Sequence, residues 1–281
     1  MPEIGLDPEA IAAVVDSALA EDIGKGDVTT RATVPPDARL DARMVSREDL
    51  VVAGMPVMQE IFRRLAPEAE ISILTDDGQR VAASSEMARI AGNAEAILTA
   101  ERSALNAVQF LSGIATLTRR YADAIAGTGA VLLDTRKTVP GLRTLSKYAV
   151  RCGGGINHRI RLDDGILIKD NHIAVAGGIA EAVARARAAN SLNLTIQAEC
   201  DTLAQVREAM AAGAGRLLLD NMPPETLRQA VEIVGGRIPL EASGGVSLET
   251  IRSIAETGVD FVSVGAITQR APAVDIGLDF V

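Results

Sequence analysis

Residues 194–221 read LTIQAECDTLAQVREAMAAGAGRLLLDN. A short apolar run, Leu194-Thr195-Ile196, leads to Glu199; a helical stretch, Thr202–Ala212, follows; a second apolar run, Leu217-Leu218-Leu219, leads to Asp220. Strand, short loop, helix and strand make a crossover unit, which implies parallel strands buried on both faces. The same grammar extends both ways. Val131-Leu132-Leu133 runs into Asp134, Ile166-Leu167-Ile168 into Lys169, Ile238-Pro239-Leu240 into Glu241, and Phe261–Val264 into Gly265. Helical stretches are predicted at Ile179–Ala189, Pro224–Val234 and Leu248–Thr257. So many units suggest a barrel. The repeating region is well short of the ~250 residues usual for eight units, so the expectation is an incomplete α/β barrel of six or seven strands.

The first hundred residues read differently. Pro8–Ala20 is a helix with Asp7 as N-cap and Pro8 at its first position. Strand-like stretches follow at Arg39–Ser46, Leu50–Ala53, Ile71–Leu74 and Met87–Ala91, with Asp77-Gly78 as a turn. Asn93–Ile125 reads as one long helix or two, with Gly113 the weak point. The expected division is an N-terminal α/β sandwich domain over 1–110 and a barrel over 111–267, with the tail 268–281 packing back on the first.

Composition narrows the function. The chain has 281 residues, 23% of them charged, with a formal net charge of −9. That argues against a general nucleic-acid or anionic-membrane surface, since both need a basic face. The apolar runs fall far below the roughly 20 residues of a membrane span, and Met1–Glu9 has no signal-like pattern. Cys152 and Cys200 form no Cys-x-x-Cys pair and lack the signature of a nucleophile. His158 and His172, fourteen apart, fit no short zinc motif. A reduced, cytoplasmic setting is expected.

The strand ends carry the chemistry. In barrels of this type the active site lies at the C-terminal ends of the strands. Here they supply Asp134, Arg136 and Lys137; Lys169, Asp170 and Asn171; Glu199 and Asp201; Asp220 and Asn221; Glu241 and Ser243. Acidic members could hold a divalent cation or sugar hydroxyls, and basic ones phosphate or carboxylate. Ser243-Gly244-Gly245 and Val264-Gly265-Ala266 follow the last two strands, where glycine lets backbone N–H groups approach a phosphate. The run from Asp134 to Arg161 gathers cations in an otherwise acidic protein. Arg136, Lys137, His158, Arg159 and Lys169 could surround a small polyanion, and the successive glycines Gly153, Gly154 and Gly155 imply a backbone held close to something.

At these residues the chain resembles the quinolinate phosphoribosyltransferases, the decarboxylating nicotinate-nucleotide pyrophosphorylases. The matching motifs are Glu21-Asp22-Ile23-Gly24 with Gly26-Asp27, Ser112–Thr116, Asp134-Thr135-Arg136-Lys137, Gly153–Arg159, Ile168–His172, Leu219-Asp220-Asn221 and Ala242–Gly245. The match runs the length of the chain in order. It implies the two-domain fold above and a homodimer or homohexamer. It also implies the reaction of quinolinate with phosphoribosyl pyrophosphate, with Mg²⁺, to nicotinate mononucleotide, pyrophosphate and CO2.

Carried over by position, Arg136, His158 and Arg159 look like binders of the two quinolinate carboxylates, with Thr135 and Lys137 beside them. Lys137 and Lys169 resemble the lysines near pyrophosphate and sugar. Glu199 and Asp220 resemble the acidic pair near ribose and metal. Ser243, Gly244, Gly245, Val264, Gly265 and Ala266 resemble the 5′-phosphate loops. Arg102 looks like the arginine that reaches a neighbouring subunit's site. Two positions depart from the family: Arg161 stands where a glycine is usual, and Gln197 where many members have Glu. The competing readings are a molybdate-transport-associated paralogue of the same fold, another barrel enzyme for a phosphorylated sugar, and a non-catalytic binding paralogue.

Overall fold

The computed structural model describes residues 5–280. In chain order the elements begin with α1 (Pro8–Asp22), α2 (Val28–Thr33), β1 (Arg39–Ser46), β2 (Leu50–Val51), α3 (Met55–Leu65), β3 (Glu70–Ile73), β4 (Arg80–Val81), β5 (Glu86–Asn93) and α4 (Ala94–Ala124). They continue with β6 (Val131–Leu133), α5 (Arg143–Cys152), β7 (Ile166–Ile168), α6 (Asp170–Ala176), α7 (Ile179–Ala189), β8 (Ile196–Cys200), α8 (Leu203–Ala211) and β9 (Arg216–Asp220). The last are α9 (Pro224–Val234), β10 (Leu240–Ser243), α10 (Ile251–Ala255), β11 (Phe261–Ser263), α11 (Ala266–Gln269) and β12 (Ile276–Phe280). Two compact units form. One comprises the residues through Arg119, Thr138–Gly154 and the segment from Ile267; the other comprises Arg120–Lys137 and Gly155–Ala266.

The first unit is built on an antiparallel sheet of order β12-β1-β5-β3, in which the C-terminal strand pairs with β1. Asp7 caps α1 by accepting from Glu9 N–H, as its position before Pro8 predicts. Several family motifs prove to be joints of this unit. Asp27 caps α2 by accepting from Thr30 N–H at 2.9 Å, and Asp22 accepts from the Ser103 hydroxyl at 3.0 Å. On α4, the Thr116 hydroxyl accepts from Val51 N–H at 2.8 Å and that of Ser112 from Ala53 N–H at 2.9 Å. The helix thereby serves strand-edge donors that would otherwise be buried without partners.

Gly113 does not break α4, which is one continuous helix. A Cβ at Gly113 would collide with the Pro272 carbonyl, so glycine is there for close approach. The glycines after α5 have a similar explanation. A Cβ on Gly153 would lie 2.5 Å from the Ala115 carbonyl and from Thr118, so the backbone held close is packed on α4 rather than on a ligand. The basic run is likewise divided. Arg143, Lys147 and Arg151 lie on α5, whose Leu145, Tyr148, Ala149 and Cys152 are buried at helical spacing.

The second unit carries a six-stranded parallel sheet of order β6-β11-β10-β9-β8-β7. Its first strand pairs with its last, as in a closed barrel, while β6 and β7 are left as the two edges. The single parallel bridge from Leu133 to Ile156 stands where a seventh strand would begin. An incomplete barrel with a seam between β6 and β7 results. Strand β8 starts two residues later than the sequence reading, which places Glu199 inside the strand. Helix α10 is shorter than expected because the Thr250 hydroxyl accepts from Ser247 N–H and holds the preceding residues in a turn.

A helix-interior glycine ordinarily gains about 1 kcal/mol on replacement by alanine. At position 113 the sign should reverse. Gly113→Ala is expected to lower unfolding stability by about 1–3 kcal/mol, read from denaturant midpoints at unchanged slope.

Candidate active site

Register decides what enters the barrel. Side chains paired across parallel strands point to the same face. One row is Gln197 and Arg216; the next along the strands is Glu199, Leu218, Glu241, Phe261 and Val131; the third holds Asp220, Ser243, Ser263 and Leu133. On the opposite face Ala198, Leu217, Leu219, Ala242 and Val262 are buried and apolar. The inward rows therefore set Arg216, Glu199, Glu241 and Asp220 among apolar neighbours such as Leu218, Phe261 and Val131.

The seam is held by a buried carboxylate. Asp134, fully buried after β6, accepts from His158 N–H at 2.7 Å and from Asn157 Nδ2 at 2.8 Å. His158 in turn accepts Arg159 N–H on Nδ1 at 2.7 Å. The Arg159 side chain donates to the Gly165 carbonyl at 2.8 Å. Burial pushes the Arg159 guanidinium below its ordinary pKa, and the positive charge of Arg136 pushes it further, with only Asp164 opposing. An arginine whose charge is disfavoured by burial and by a neighbouring cation is suited to seat an anion. A cavity of about 440 Å³ opens at this seam, with His158, Arg159 and Gln197 in its wall.

Across the interior lies an acidic counterpart. Glu199, buried, faces Lys169 Nζ at 3.4 Å. Carboxylate oxygens of Glu199, Asp201 and Asp220 all lie within 4.8 Å of one another. Burial raises the Glu199 pKa, partly offset by Lys169, and Asp220 adds to the rise. Burial also raises Asp220, and Asp201 pushes the same way. Asp201 was legible as a strand-end acid but not as a partner of the pair.

The glycine loops sit against these groups. Asn221 adopts a left-handed backbone (φ 54°) and donates from Nδ2 to Asp220 at 2.6 Å. Gly244 (φ 88°) lies so near Asn221 that any Cβ would collide with its amide, so glycine is required twice over. A Cβ at Gly265 would stand 2.9 Å from Lys137 Cδ, which brings that loop onto the Thr135–Lys137 segment. Val264 is buried and gives its N–H to the Leu133 carbonyl, which ties this loop to the end of β6.

Thr135, Arg136, Lys137, His158, Arg159, Lys169, Glu199, Asp220, Ser243–Gly245 and Val264–Ala266 thus all belong to one unit, at or beside the strand ends. Arg102 is exposed on α4 in the other unit. Of the two departures, Arg161 is exposed, and its backbone N–H is held by Asp164. Gln197 is buried and donates to Glu241 at 2.8 Å. Sequence reasoning missed Arg216, the first residue of β9, which donates to the same oxygen of Glu241 at 2.7 Å and stacks on Phe261. A charged residue opening an otherwise apolar strand was the available signal.

Comparison with known proteins adds the family. The description "Quinolinate phosphoribosyl transferase, C-terminal domain" matches residues 114–279, and the corresponding N-terminal domain matches residues 27–112. A probable nicotinate-nucleotide pyrophosphorylase [carboxylating] of Synechocystis is 46% identical over 266 residues, covering 94% of this chain and 90% of the relative. The chloroplastic nicotinate-nucleotide pyrophosphorylase of Arabidopsis thaliana is 42% identical, covering 95% and 81%. The structure of the nicotinate-nucleotide pyrophosphorylase from Francisella tularensis superposes with a TM-score of 0.93 at 40% identity, covering 99% of this chain and 98% of that one.

The acidic cluster should cost the ligand-free protein stability. A carboxyl whose folded pKa is raised destabilises the fold above that pKa, and the penalty is relieved as pH falls through it. Asp220→Asn is therefore expected to raise the urea midpoint at neutral pH, with the gain shrinking toward the unfolded carboxyl range. A gain that persists undiminished in acid would show that the effect is not ionisation.

Proposed function

The chain belongs to the quinolinate phosphoribosyltransferase family, and we propose that it transfers phosphoribosyl from phosphoribosyl pyrophosphate to quinolinate with decarboxylation. The products are nicotinate mononucleotide, pyrophosphate and CO2, a step of NAD biosynthesis. The observation that carries this reading is the half-buried Arg136 and Arg159 at the seam beside His158, where burial and the charge of Arg136 disfavour the Arg159 cation. Such a pair suits a ligand with two adjacent carboxylates, because each planar guanidinium can accept one carboxylate in bidentate fashion.

With both carboxylates fixed, the pyridine nitrogen is aimed at the anomeric carbon, and orientation supplies much of the rate. Leaving of pyrophosphate builds positive charge on the ribose, which Glu199 and Asp220 stabilise from the acidic side. Lys137 and Lys169 serve the departing phosphates. The loops Ser243–Gly245 and Gly265–Ala266 hold the 5′-phosphate. Once the nitrogen bears ribose, its positive charge stabilises the electron pair left on the ring carbon when CO2 departs, and a proton takes the vacated position. No covalent enzyme intermediate is needed.

Glu199, Asp220 and Asp201 fit the Mg²⁺ that the resemblance implies, since their carboxylate oxygens lie within 4.8 Å of one another and the charges of Glu199 and Asp220 are disfavoured. The ion would supply charge screening to the pyrophosphate leaving group. Among the described residues no helix is long and apolar enough to cross a membrane. The reading carries a cytoplasmic setting with it, and the two buried, unpaired thiols suit a reducing one. It also carries a homodimer or homohexamer in which Arg102, exposed on α4, completes a neighbouring subunit's site.

Purified protein given quinolinate, phosphoribosyl pyrophosphate and Mg²⁺ is expected to form nicotinate mononucleotide, detected by its ultraviolet absorbance after separation. Lys169→Ala should abolish the product; a folded wild type that makes none would sink the assignment. Arg159→Met should raise the quinolinate KM at least about thirtyfold, a loss of about 2 kcal/mol, while the KM for the sugar substrate stays within a few-fold.

Mixing tests the shared site. Arg102→Ala and Lys169→Ala subunits, each inactive alone, should regain activity when exchanged into mixed oligomers. No recovery after proven subunit exchange counts against Arg102 acting across an interface.

A further inference from the structure

Glu241 lies in the middle row of the barrel interior with no exposed surface. One of its oxygens, Oε2, gathers three partners from three directions. Gln197 Nε2 donates from β8 at 2.8 Å, Arg216 donates from β9 at 2.7 Å, and His158 Nε2 lies at 3.3 Å from the seam. A buried carboxylate at this depth is costly unless it is paired and hydrogen-bonded. Here the carboxyl is held below its usual range. Burial alone would raise it, but the hydrogen bond from His158 and the guanidinium of Arg216 outweigh that.

The other side of the same imidazole is also committed. His158 Nδ1 accepts Arg159 N–H at 2.7 Å, so that nitrogen carries a lone pair and the ring proton sits on Nε2, facing Glu241. Both ring nitrogens are then used inside the protein. What they fix is the backbone at Arg159, whose side chain donates to Gly165 and stands in the anion seat. In this arrangement the ring itself does not offer an N–H to a substrate carboxylate. Its effect on the substrate runs through Arg159.

We infer that Glu241, held by Gln197 and Arg216, is a positioning residue for substrate binding: it fixes the Nε2-protonated form of His158, which in turn fixes Arg159. The inference deepens the proposed function and rests on it for its kinetic part. The role of Gln197 follows. A neutral amide donates to Glu241, where a glutamate at 197 would face it as a second carboxylate, and Arg216 supplies the accompanying cation.

Two readouts test it. The chain has two histidines, so long-range ¹H–¹⁵N correlation of the imidazoles gives two ring patterns, assigned with His158→Gln. Wild type should show His158 with a proton on Nε2 and a lone pair on Nδ1. Glu241→Ala leaves Arg216 without its counter-charge and is prone to misfold. The double variant Glu241→Met, Arg216→Met removes both charges at similar volume. It should lose the single tautomer and raise the quinolinate KM about tenfold or more, with kcat and the KM for phosphoribosyl pyrophosphate within about threefold. Glu241→Gln, which retains an oxygen at the same place, should restore the tautomer and most of the KM. An unchanged His158 pattern in the double variant overturns the inference, as does a fall in kcat at constant quinolinate KM. Should the wild type fail to turn over quinolinate at all, the proposed function falls, while the imidazole pattern still decides whether Glu241 sets the form of His158.

Discussion

The pairing of β6 with β11 is the constraint on which the catalytic unit depends. It joins the first strand of the barrel to the last and so bends six strands around an interior instead of leaving them as an open, doubly wound sheet. It also fixes where the barrel fails to close, because β6 and β7 are left as edges. A strand edge buried in a protein needs donors and acceptors from somewhere. The segment after Gly155 supplies them, first through the bridge from Ile156 to Leu133 and then through Asp134, which receives Asn157 and His158. The residues that fill the gap include His158 and Arg159, to which the proposed function gives the anion.

That arrangement explains why the interior can hold charges. A barrel of short strands has its apolar requirement met on the outside, where Leu217, Leu219, Ala242 and Val262 are buried. The inward row is then available for charges, provided each is neutralised or hydrogen-bonded. Glu241 meets its compensating partners through Oε2, while Oε1 is buried with no hydrogen-bond partner among the described residues. Glu199 and Asp220 are not fully compensated, nor is Arg159, and their pKa values are displaced in the direction that disfavours the charge. Stored electrostatic cost of this kind lies where a ligand of opposite sign would relieve it.

Much of this was legible in the sequence. The strand–helix alternation from Val131 onward gave the parallel architecture, and polar residues at successive strand ends gave the site. The helices α7 and α9 fall where the apolar spacing put them. What escaped was decided by long-range contacts. The Gly153–Gly155 run implied a backbone held close to something, but a close approach reads the same whether the neighbour is a phosphate or the Ala115 carbonyl of α4. Helix α5 was hidden by its cations, although Leu145, Tyr148, Ala149 and Cys152 already had helical spacing. Gly113 looked like a break because propensity is a local quantity, while its reason lies more than 150 residues away in sequence, at Pro272.

The buried network around Glu241 shows the same limit at finer scale. Gln197, Arg216, Glu241 and His158 are spread over 84 positions, and none of them carries a local motif with the others. Only the parallel register brings them together, since it places Gln197 opposite Arg216 and Glu241 one row above. Read alone, Gln197 is a lost acid and Arg216 an oddity at the start of a strand. Placed in the barrel, they are two donors from neighbouring strands to one carboxylate oxygen. Replacing either alone would leave that buried oxygen short of a donor, so the two positions are coupled through one acceptor.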